Sequence, residues 1–329
     1  MSDGQSGLKR GIGSVVAACA ALAAALPAPA QEYPTRPVRI VVGFPPGGAT
    51  DLVSRLLAPR FAEVFKQQVI VDNRPGANGV IAADLVAKSA PDGYTLHLGT
   101  LASQVISPAI SKVPYDPFKD FSPIGRTVAL QNIFIVHPSL PVRTIKELVA
   151  LAKSRPGKLN YASSGTGSTG HLSGELLKTM AGIDMVHIPY KGGGPALTDL
   201  IAGHVELFIA IISTAVPHVK SGRARALAVT GNRRAGALPD VPTVAESALK
   251  GYESTNWYCM IGPAGLPQGI VDRWNKEMVA ALGLADVRKS LLDMGIEPAP
   301  STPAEFAAYL KSETAKWAKV IKASGLKAD

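Results

Sequence analysis

The sequence of 329 residues has few cysteines, few aromatic residues and few charges. Its two cysteines, Cys19 and Cys259, exclude a disulfide scaffold and a cysteine zinc cluster. The aromatic content of 6% is low for a surface that stacks nucleic-acid bases, although the net charge of +9 has the sign that nucleic acid attracts. Hydrophobic residues, at 47%, exclude disorder because their burial offsets the entropy of ordering the backbone. At about 100–200 residues per domain, the length predicts two domains.

The common catalytic motifs are missing too. The sequence contains no His-Glu-x-x-His zinc motif, no G-x-x-x-x-G-K-[ST] phosphate loop and no G-x-S-x-G nucleophile elbow. Six scattered histidines lack the spacing of metal ligands, and His97 and His187 fall in apolar segments that predict structural histidines. Cys259 lies in an apolar segment and is expected to be a buried packing residue. We therefore expect no catalytic residue, no metal and no cofactor.

Residues 1–30 have the composition of an export signal. Lys9 and Arg10 precede an apolar run over 12–26, and Ala28-Pro29-Ala30 is a small-residue site that predicts cleavage directly after it. A membrane anchor fits less well, because spanning a bilayer takes about 20 apolar residues and prolines interrupt this run.

A lipoprotein signal is the other alternative for this segment. Val16-Ala17-Ala18-Cys19 resembles a lipoprotein processing site, but apolar sequence continues well beyond it. We favour soluble export, which leaves a mature chain of 31–329 with a net charge of 32 − 24 = +8 and Cys259 as its single cysteine. The mature chain has no second run of about 18 apolar residues, so we do not expect it to span a membrane.

Strand-like and helix-like segments alternate along the mature chain. The strand-like segments are 38–44, 69–71, 94–99, 134–136, 160–162, 186–188, 207–212 and 226–229. The helix-like segments are 51–65, 81–90, 145–154, 170–180, 196–202, 270–282, 285–294 and 303–324. This alternation predicts an α/β fold with parallel sheets covered by helices, which binds ligands at the carboxyl ends of its strands. Pro59 should kink or divide the first helix.

A glycine-rich loop follows the first strand. It reads Phe44-Pro45-Pro46-Gly47-Gly48-Ala49-Thr50-Asp51, and the two glycines allow a close approach of the backbone to a ligand. The helix that begins near Asp51 has unpaired N–H groups and a positive dipole end, which hold an anion without arginine or lysine. Asp51 is expected mainly as the N-cap of that helix, with a second possible role as a partner of the ligand or of a bridging water.

A second loop with the same parts runs from Ser163 to His171. It also matches the dinucleotide fingerprint G-x-G-x-x-G, but the following strand ends in Tyr190-Lys191 rather than in the required acid, so we reject a nucleotide cofactor. A third candidate is Tyr190-Lys191-Gly192-Gly193-Gly194-Pro195, where Tyr190 could cover a ligand. Lys191 is either a direct anion partner or, as we favour, solvated. Taken singly, the first two loops could each be a plain βα turn.

Several motifs in a fixed order carry a resemblance to a known family. They are Phe44-Pro45-Pro46-Gly47-Gly48 with Asp51, Asn73-Arg74-Pro75-Gly76-Ala77-Asn78-Gly79, Pro91-Asp92-Gly93-Tyr94-Thr95-Leu96, Tyr161-Ala162-Ser163-Ser164-Gly165, His187-Ile188-Pro189-Tyr190-Lys191-Gly192 and Leu238-Pro239-Asp240-Val241-Pro242-Thr243. With them, the mature chain resembles the Bug-type solute receptors, the extracytoplasmic substrate-binding proteins of the tripartite tricarboxylate transporter family. It departs from the family pattern at two positions. Pro59 interrupts the first helix, and Asn78 stands at a position where glycine is common.

The resemblance implies a type II periplasmic-binding-protein fold, in which two lobes with mostly parallel sheets are joined by two crossover strands and close on the ligand. Lobe 1 would comprise residues 31–128 and 257–329, and lobe 2 residues 129–256. The implied ligand-binding residues are Phe44, Gly47, Gly48, Ala49 and Asp51 in lobe 1, and Ser163, Gly165, Thr166, Gly167, Ser168, His171, Tyr190, Gly192 and Gly193 in lobe 2.

The function implied is that of a monomeric periplasmic protein that captures a small organic carboxylate. The ligand could be a di- or tricarboxylate or an aromatic acid, since Phe44, Tyr190 and Trp257 are candidate aromatic contacts. Its partners would be the membrane subunits of a tripartite tricarboxylate transporter, and no nucleic acid. A receptor that presents the carboxylate to a signalling partner, or an α/β enzyme that uses the same cleft, are the alternatives.

Overall fold

The computed structural model describes residues 33–324. The proposed signal peptide, its cleavage site after Ala30 and Cys19 lie outside the described residues. From Arg36 onward the described chain forms one compact unit. None of the helices within residues 33–324 combines the length and the apolar character needed to cross a bilayer.

The described chain is an alternation of strands and helices, so the predicted α/β class is confirmed. The strands are β1 (Val38–Val42), β2 (Val69–Asn73), β3 (Thr95–Thr100), β4 (Phe121–Val136), β5 (Asn160–Ser163), β6 (Val186–Pro189), β7 (Leu207–Ile211), β8 (Arg225–Val229), β9 (Thr255–Pro263) and β10 (Ile296–Pro298). The helices are α1 (Ala49–Phe65), α2 (Val80–Ala87), α3 (Ser107–Ile110), α4 (Ile145–Ser154), α5 (Thr169–Ala181), α6 (Gly193–Ile201), α7 (Ile212–Lys220), α8 (Val244–Ser247), α9 (Gln268–Gly283), α10 (Ala285–Asp293) and α11 (Pro303–Ser324). A 3₁₀ turn (Ala77–Gly79) precedes α2, and a π-helical segment (Ala102–Ile106) precedes α3.

The strands form a sheet in the order β2-β1-β3-β9-β4-β7-β5-β6, with β8 and β10 also paired to β4. The pairs of β1 with β2 and β3, and of β5 with β6 and β7, are parallel. The central pairs, β3 with β9, β9 with β4 and β4 with β7, are antiparallel. Each outer group of three parallel strands therefore presents its carboxyl ends, and the loops that follow them, at one edge.

β4 belongs to both halves of the sheet. Its first part, Phe121 to Gln131, pairs with β9, and its last part, Asn132 to Val136, pairs with β7. The predicted lobe limit between residues 128 and 129 falls within β4, and the limit between 256 and 257 falls within β9. Sequence patterns had indicated only residues 134–136 of β4, because Pro123 and Gly125 interrupt the strand-like composition of its first part.

Helix α1 continues without a break through Pro59, so division of this helix is excluded. The helix is held along its length by buried apolar residues on one side, including Phe61 and Phe65. Both rings contact the buried Trp274 of α9, with centroid distances of 5.1 and 4.5 Å. Packing of this kind outweighs the cost of one proline in the helix.

Two glycines allow α5 to lie unusually close to the sheet. A Cβ atom on Gly170 would overlap the carbonyl oxygen of Ile209 in β7, and one on Gly174 would overlap the ring of Tyr161 in β5. Gly170 and Gly174 are one helical turn apart and so share a face of α5. This close approach fixes the position of the start of α5, where the second glycine loop ends.

Candidate functional site

A cavity of about 440 Å³ lies where the glycine-rich loops meet. Its volume is within the range typical of small-molecule sites. The lining residues are Phe44, Pro45, Pro46, Gly47, Gly48, Ala49, Thr50, Leu52, Thr100, Ala102, Ser164, Ser168, Thr169, Gly193, Gly194, Pro195, Leu197, Ile211, Ser213, Thr214, Pro217, His218, Asn256 and Tyr258. Among these described residues there is no lysine, arginine, aspartate or glutamate.

The first loop brings the start of α1 to the cavity. Gly48 is the N-cap, and within the described chain no side chain caps the first turn, to which the cavity-lining Ala49 and Thr50 belong. Asp51 is therefore not the N-cap that the sequence predicted. It stands at the third helical position, where its carboxylate accepts the Gly47 N–H at 2.9 Å.

Asp51 stabilises the first loop and does not line the cavity. Its side chain is buried and accepts a hydrogen bond from Arg55 Nε at 2.9 Å. Burial by itself would raise the pKa of Asp51, but the hydrogen bonds from Arg55 and Gly47 outweigh it and hold the pKa below the usual range. The carboxylate is thus ionised at neutral pH and fixes the conformation of Gly47, whose φ of 78° suits glycine.

The second loop brings the start of α5 to the cavity, where Ser168 and Thr169 line it. Ser168 is the N-cap and accepts the N–H of His171. Behind the loop, the Gly167 N–H donates to Nδ1 of His171 at 3.0 Å, and Ser163 Oγ accepts the Gly165 N–H at 3.1 Å. His171 and Ser163 therefore shape the loop from below the cavity surface.

Two further helices begin at the same cavity. The cavity is lined by Gly193 of α6, whose N-cap is Gly192, and by Ser213 and Thr214 of α7, whose N-cap is Ile211. Within residues 33–324, neither N-cap supplies a side-chain hydrogen bond to its helix. The start of α7 was missed in the sequence, because α7 follows β7 directly without a loop and contains Pro217.

Four helix N-termini thus converge on one cavity within the described chain: those of α1, α5, α6 and α7. Each carries a partial positive charge, and the first-turn N–H groups of a helix have no partner inside it. An anion placed among them would be held by N–H groups and helix dipoles.

Four buried polar atoms of the lining have no hydrogen-bond partner among the described residues. They are Thr50 Oγ1, Ser213 Oγ, His218 Nδ1 and the Tyr258 hydroxyl. Burial raises the pKa of Tyr258, so its hydroxyl stays protonated and able to donate. Burial and the nearby Arg223 lower the pKa of His218, so its imidazole is neutral at pH 7. A buried polar atom left unpaired costs about 1–3 kcal/mol, which a polar ligand would recover.

The residues proposed from the sequence divide into two sets. Those that line the cavity are Phe44, Gly47, Gly48, Ala49, Ser168 and Gly193. Those that lie outside the lining are Asp51, Ser163, Gly165, Thr166, Gly167, His171, Tyr190 and Gly192. Tyr190 donates its hydroxyl to Asp199 at 2.7 Å, which ties its ring to α6, and Lys191 is exposed outside the lining.

On β9 the cavity is lined by Asn256 and Tyr258, whereas Trp257 points to the other face of the sheet. Trp257 is buried, packs against Phe306 of α11 and donates its Nε1–H to Glu313 at 3.0 Å. Alternation along a strand turns neighbouring side chains to opposite faces, so the position along the strand decides which aromatic residue lines the cavity. Cys259 is fully buried, as predicted, and burial raises the pKa of its thiol.

Loops of the two predicted lobes touch near the cavity. Asn78, in the 3₁₀ turn after β2, donates its side-chain N–H to the carbonyl oxygen of Thr166 in the second loop. A Cβ atom on Gly192 would lie 3.3 Å from Cγ of Pro45 in the first loop. The residues of the two predicted lobes are therefore in contact across the site.

His97, His171 and His187 have structural partners, and for His97 and His187 this agrees with the prediction. Nδ1 of His97 lies 2.9 Å from the Val41 carbonyl oxygen, and burial lowers the pKa of His97 to about 4. Nε2 of His187 lies 2.6 Å from Ser163 Oγ, and the His187 ring stacks on His171 with centroids 3.6 Å apart. Burial, then the neighbouring His171 and Lys178, lower the pKa of His187 to about 3.

We expect the protein to lose stability as the pH falls from 6.5 towards 3, in part through His187. The unfolded chain binds a proton at this histidine below about pH 6.5, whereas the fold resists it until about pH 3, so acid favours unfolding. Thermal melts between pH 7 and 4 should show a shallower pH dependence for His187→Asn than for the wild type. Equal slopes for His187→Asn and the wild type would contradict the assignment.

The sequence matches the model of the family described as "Tripartite tricarboxylate transporter family receptor" over residues 53–326. Solved structures of similar proteins share the fold. A Rhodopseudomonas palustris protein, Rpa4515 with adipate, is 39% identical, with a TM-score of 0.87 over 90% of this chain and 99% of that chain. The periplasmic binding protein BugD is 35% identical, with a TM-score of 0.85 over 90% and 100% of the two chains. MatC from Rhodopseudomonas palustris, with bound malate, is 33% identical, with a TM-score of 0.83 over 88% of this chain and 100% of that chain.

Proposed function

Because the chain belongs to the receptors of the tripartite tricarboxylate transporter family, we propose that it captures a small organic carboxylate in the cavity at the four helix N-termini and delivers it to the membrane subunits of such a transporter. The predicted resemblance to Bug-type receptors is confirmed by the family match and by the similarity to BugD. With it, the type II periplasmic-binding-protein fold is confirmed. The family consists of binding proteins, in agreement with the prediction that the chain is not an enzyme.

The convergence of four helix N-termini on a cavity without charged side chains carries the carboxylate proposal. A cation would meet four positive dipole ends and no carboxylate among the described lining residues. A neutral ligand would leave the uncapped N–H groups without a charged acceptor. The adipate and malate bound to two similar proteins support a carboxylate for this chain as well.

Capture by closure of two lobes is the second part of the proposal. We assign residues 31–128 and 257–329 to one lobe and 129–256 to the other, with β4 and β9 passing between them. Ligand contacts from both sides favour the closed state, because they exist in full only there. The hydrogen bond of Asn78 with Thr166 and the closeness of Pro45 to Gly192, where a Cβ atom would lie 3.3 Å from Pro45 Cγ, support a closed arrangement.

We place the protein in the periplasm as a monomer after cleavage of the signal peptide behind Ala30. The support is the composition of residues 1–30 and membership in a family of periplasmic binding proteins. The proposed partners are the carboxylate and the membrane subunits of the transporter, which would recognise the closed form.

A ligand panel tests the capture of carboxylates. The mature protein should melt at a higher temperature with at least one small aliphatic or aromatic carboxylate, because a ligand that binds only the folded state stabilises it by mass action. The corresponding amides and amines, which lack the anion, serve as controls and should cause no shift. A shift with amines but with no carboxylate would refute the proposal, and mass-spectrometric detection of a converted ligand would indicate an enzyme instead.

Asn78→Gly tests whether the contact between the two halves contributes to closure. Glycine keeps the left-handed backbone (φ 54°) but removes the amide that donates to Thr166, so we expect the ligand to bind about 2–10 times more weakly. The loss should appear mainly in the dissociation rate, measured by stopped-flow mixing. Ala77→Gly changes a neighbouring left-handed and exposed residue and should leave the rate unchanged. Equal rates for both variants would remove Asn78 from the closure.

A further inference from the structure

A ring of hydrogen bonds starts and ends at the first glycine loop. The Asp51 carboxylate accepts the Gly47 N–H and is held in turn by Arg55, whose Nε lies 2.9 and 3.0 Å from its two oxygens. The guanidinium of Arg55 also donates through Nη2 to Oδ1 of Asn73, the last residue of β2, at 3.2 Å. Asn73 Nδ2 donates to the Phe44 carbonyl oxygen at 3.0 Å, which closes the ring. Phe44 and Gly47, which both line the cavity, are therefore tied to each other through three side chains.

The two tied residues stand on either side of the prolines of the first loop. Pro45 and Pro46 have no N–H group, so this stretch of backbone can donate no hydrogen bond of its own. The ring holds the residue before the two prolines by its carbonyl oxygen and the residue after them by its N–H. The loop leads directly into α1, so its conformation sets where Ala49 and Thr50 meet the cavity.

Arg55 differs from an ordinary surface arginine. Its side chain is 54% exposed in a groove between α1 and β2, but the side chain of its partner Asp51 is only 4% exposed and is bonded to the cavity loop. Arg60 of the same helix has the ordinary kind of contact, since it pairs with Glu63 and Asp286, outside the cavity lining. Exposed ion pairs of that kind contribute little to a fold. The bonds of Arg55 instead join three segments: the loop, α1 and the end of β2.

We propose that Arg55 and Asn73 are positioning residues for ligand capture, which hold the first glycine loop in the conformation that directs the N–H groups at the start of α1 towards the carboxylate. The inference rests on the proposed function, because it gives these two residues a role in the carboxylate cavity although neither lines it. An arginine is required, since its planar fork donates to a carboxylate and to an amide oxygen at once, whereas a lysine is a single point charge. A loop that is fixed before the ligand arrives need not be ordered by it, so the bridge raises the affinity.

Calorimetric titration tests the bridge. The probe is the acid that binds the wild-type mature protein most tightly among adipate, malate and benzoate. Arg55→Lys keeps the charge but loses the fork, and Asn73→Ala changes no charge. We expect each variant to bind the probe about tenfold more weakly, as for the loss of a hydrogen bond to a charged group. The double variant should bind no more weakly than the weaker single variant, because both changes break the same ring.

Arg60→Lys is the matched control, because it makes the same substitution on the same helix at an arginine outside the ring. It should bind the probe as the wild type does. Wild-type affinity in Arg55→Lys or in Asn73→Ala, or an equal loss in Arg60→Lys, would overturn the bridge while leaving the capture of carboxylates intact.

Hydrogen exchange of the Gly47 amide, followed by NMR in the absence of any acid, tests the bridge independently. Asp51 protects this N–H in the wild type, so it should exchange about tenfold faster in Arg55→Lys and Asn73→Ala but not in Arg60→Lys. Equal exchange rates in the wild type and in both bridge variants would overturn the bridge. Failure of the wild type to bind any of the three acids would instead count against the proposed function.

Discussion

Gly48→Asp is expected to weaken carboxylate binding by at least a hundredfold while the protein keeps its melting temperature or gains stability. Gly48 is the N-cap of α1, with φ −75° and ψ 167°, a conformation open to any residue, and its Cβ would meet only the Pro45 carbonyl oxygen at 3.3 Å. An aspartate at an N-cap accepts first-turn N–H groups and stabilises a helix by about a few tenths of a kcal/mol relative to glycine. The same carboxylate would occupy the N–H groups proposed for the ligand and repel its charge.

The comparison that isolates this effect is Gly269→Asp. Gly269 lies in the first turn of α9, is exposed, and has open space around its Cβ position. An aspartate there interacts with a helix N-terminus in the same way but outside the cavity lining, so calorimetric titration should show wild-type affinity. Wild-type affinity in Gly48→Asp as well would remove the start of α1 from the ligand site.

Gly170→Ala is expected to destabilise the protein by about 3 kcal/mol or more, among the largest effects of any single methyl group in this fold. The added Cβ would overlap the backbone oxygen of Ile209, which cannot turn away as a flexible side chain would. Overpacking typically costs about 1–3 kcal/mol, and a rigid backbone neighbour places this site at the upper end. Urea unfolding of the mature protein measures the loss.

Gly283→Ala is the control, for which we expect a small gain in stability instead of a loss. Gly283 is the last residue of α9 and has no neighbour within 4 Å of its Cβ position among the described residues, so alanine should add a few tenths of a kcal/mol through its higher helix propensity. If both alanine variants unfolded at the same urea concentration, the close packing of α5 against β7 would not hold in solution.

The order of strands and helices was readable in the sequence because β-branched runs ended in glycine loops and were followed by helical periodicity. Pairing between distant segments was not readable in this way. Nothing local in residues 255–263 indicates that β9 lies between β3 and β4, and Pro123 and Gly125 concealed the first part of β4. The π-helical turn at Ala102–Ile106 was also missed, because its residues show no helical period of their own.

At the candidate site, the sequence located the loops but not the directions of the side chains. Gly47, Gly48 and Ser168 could be proposed because glycine turns and N-cap residues have local signatures. Tyr190 was a candidate from the third glycine-rich segment and the family resemblance, and Trp257 only as an aromatic residue. In the structure Tyr190 donates its hydroxyl to Asp199, and Trp257 donates its Nε1–H to Glu313. Ser213, His218 and Tyr258 reach the cavity only through tertiary packing, so no local pattern pointed to them.

The central position of β9 has a consequence for the order in which the protein folds. The middle of the sheet forms only when Thr100 of β3 pairs with Tyr258 of β9 and Phe121 of β4 pairs with Pro263 of β9. Contacts between such distant segments make folding slow, because the loop must close before its contacts repay the lost entropy. At about 5–20 residues per second of synthesis, the segment from Thr100 to Tyr258 takes roughly 8–30 s to complete, and the amino-terminal strands remain unpaired along one edge for that time. For a polypeptide that crosses a membrane before it folds, as the proposed periplasmic location would require, this delay would keep the nascent chain competent for translocation.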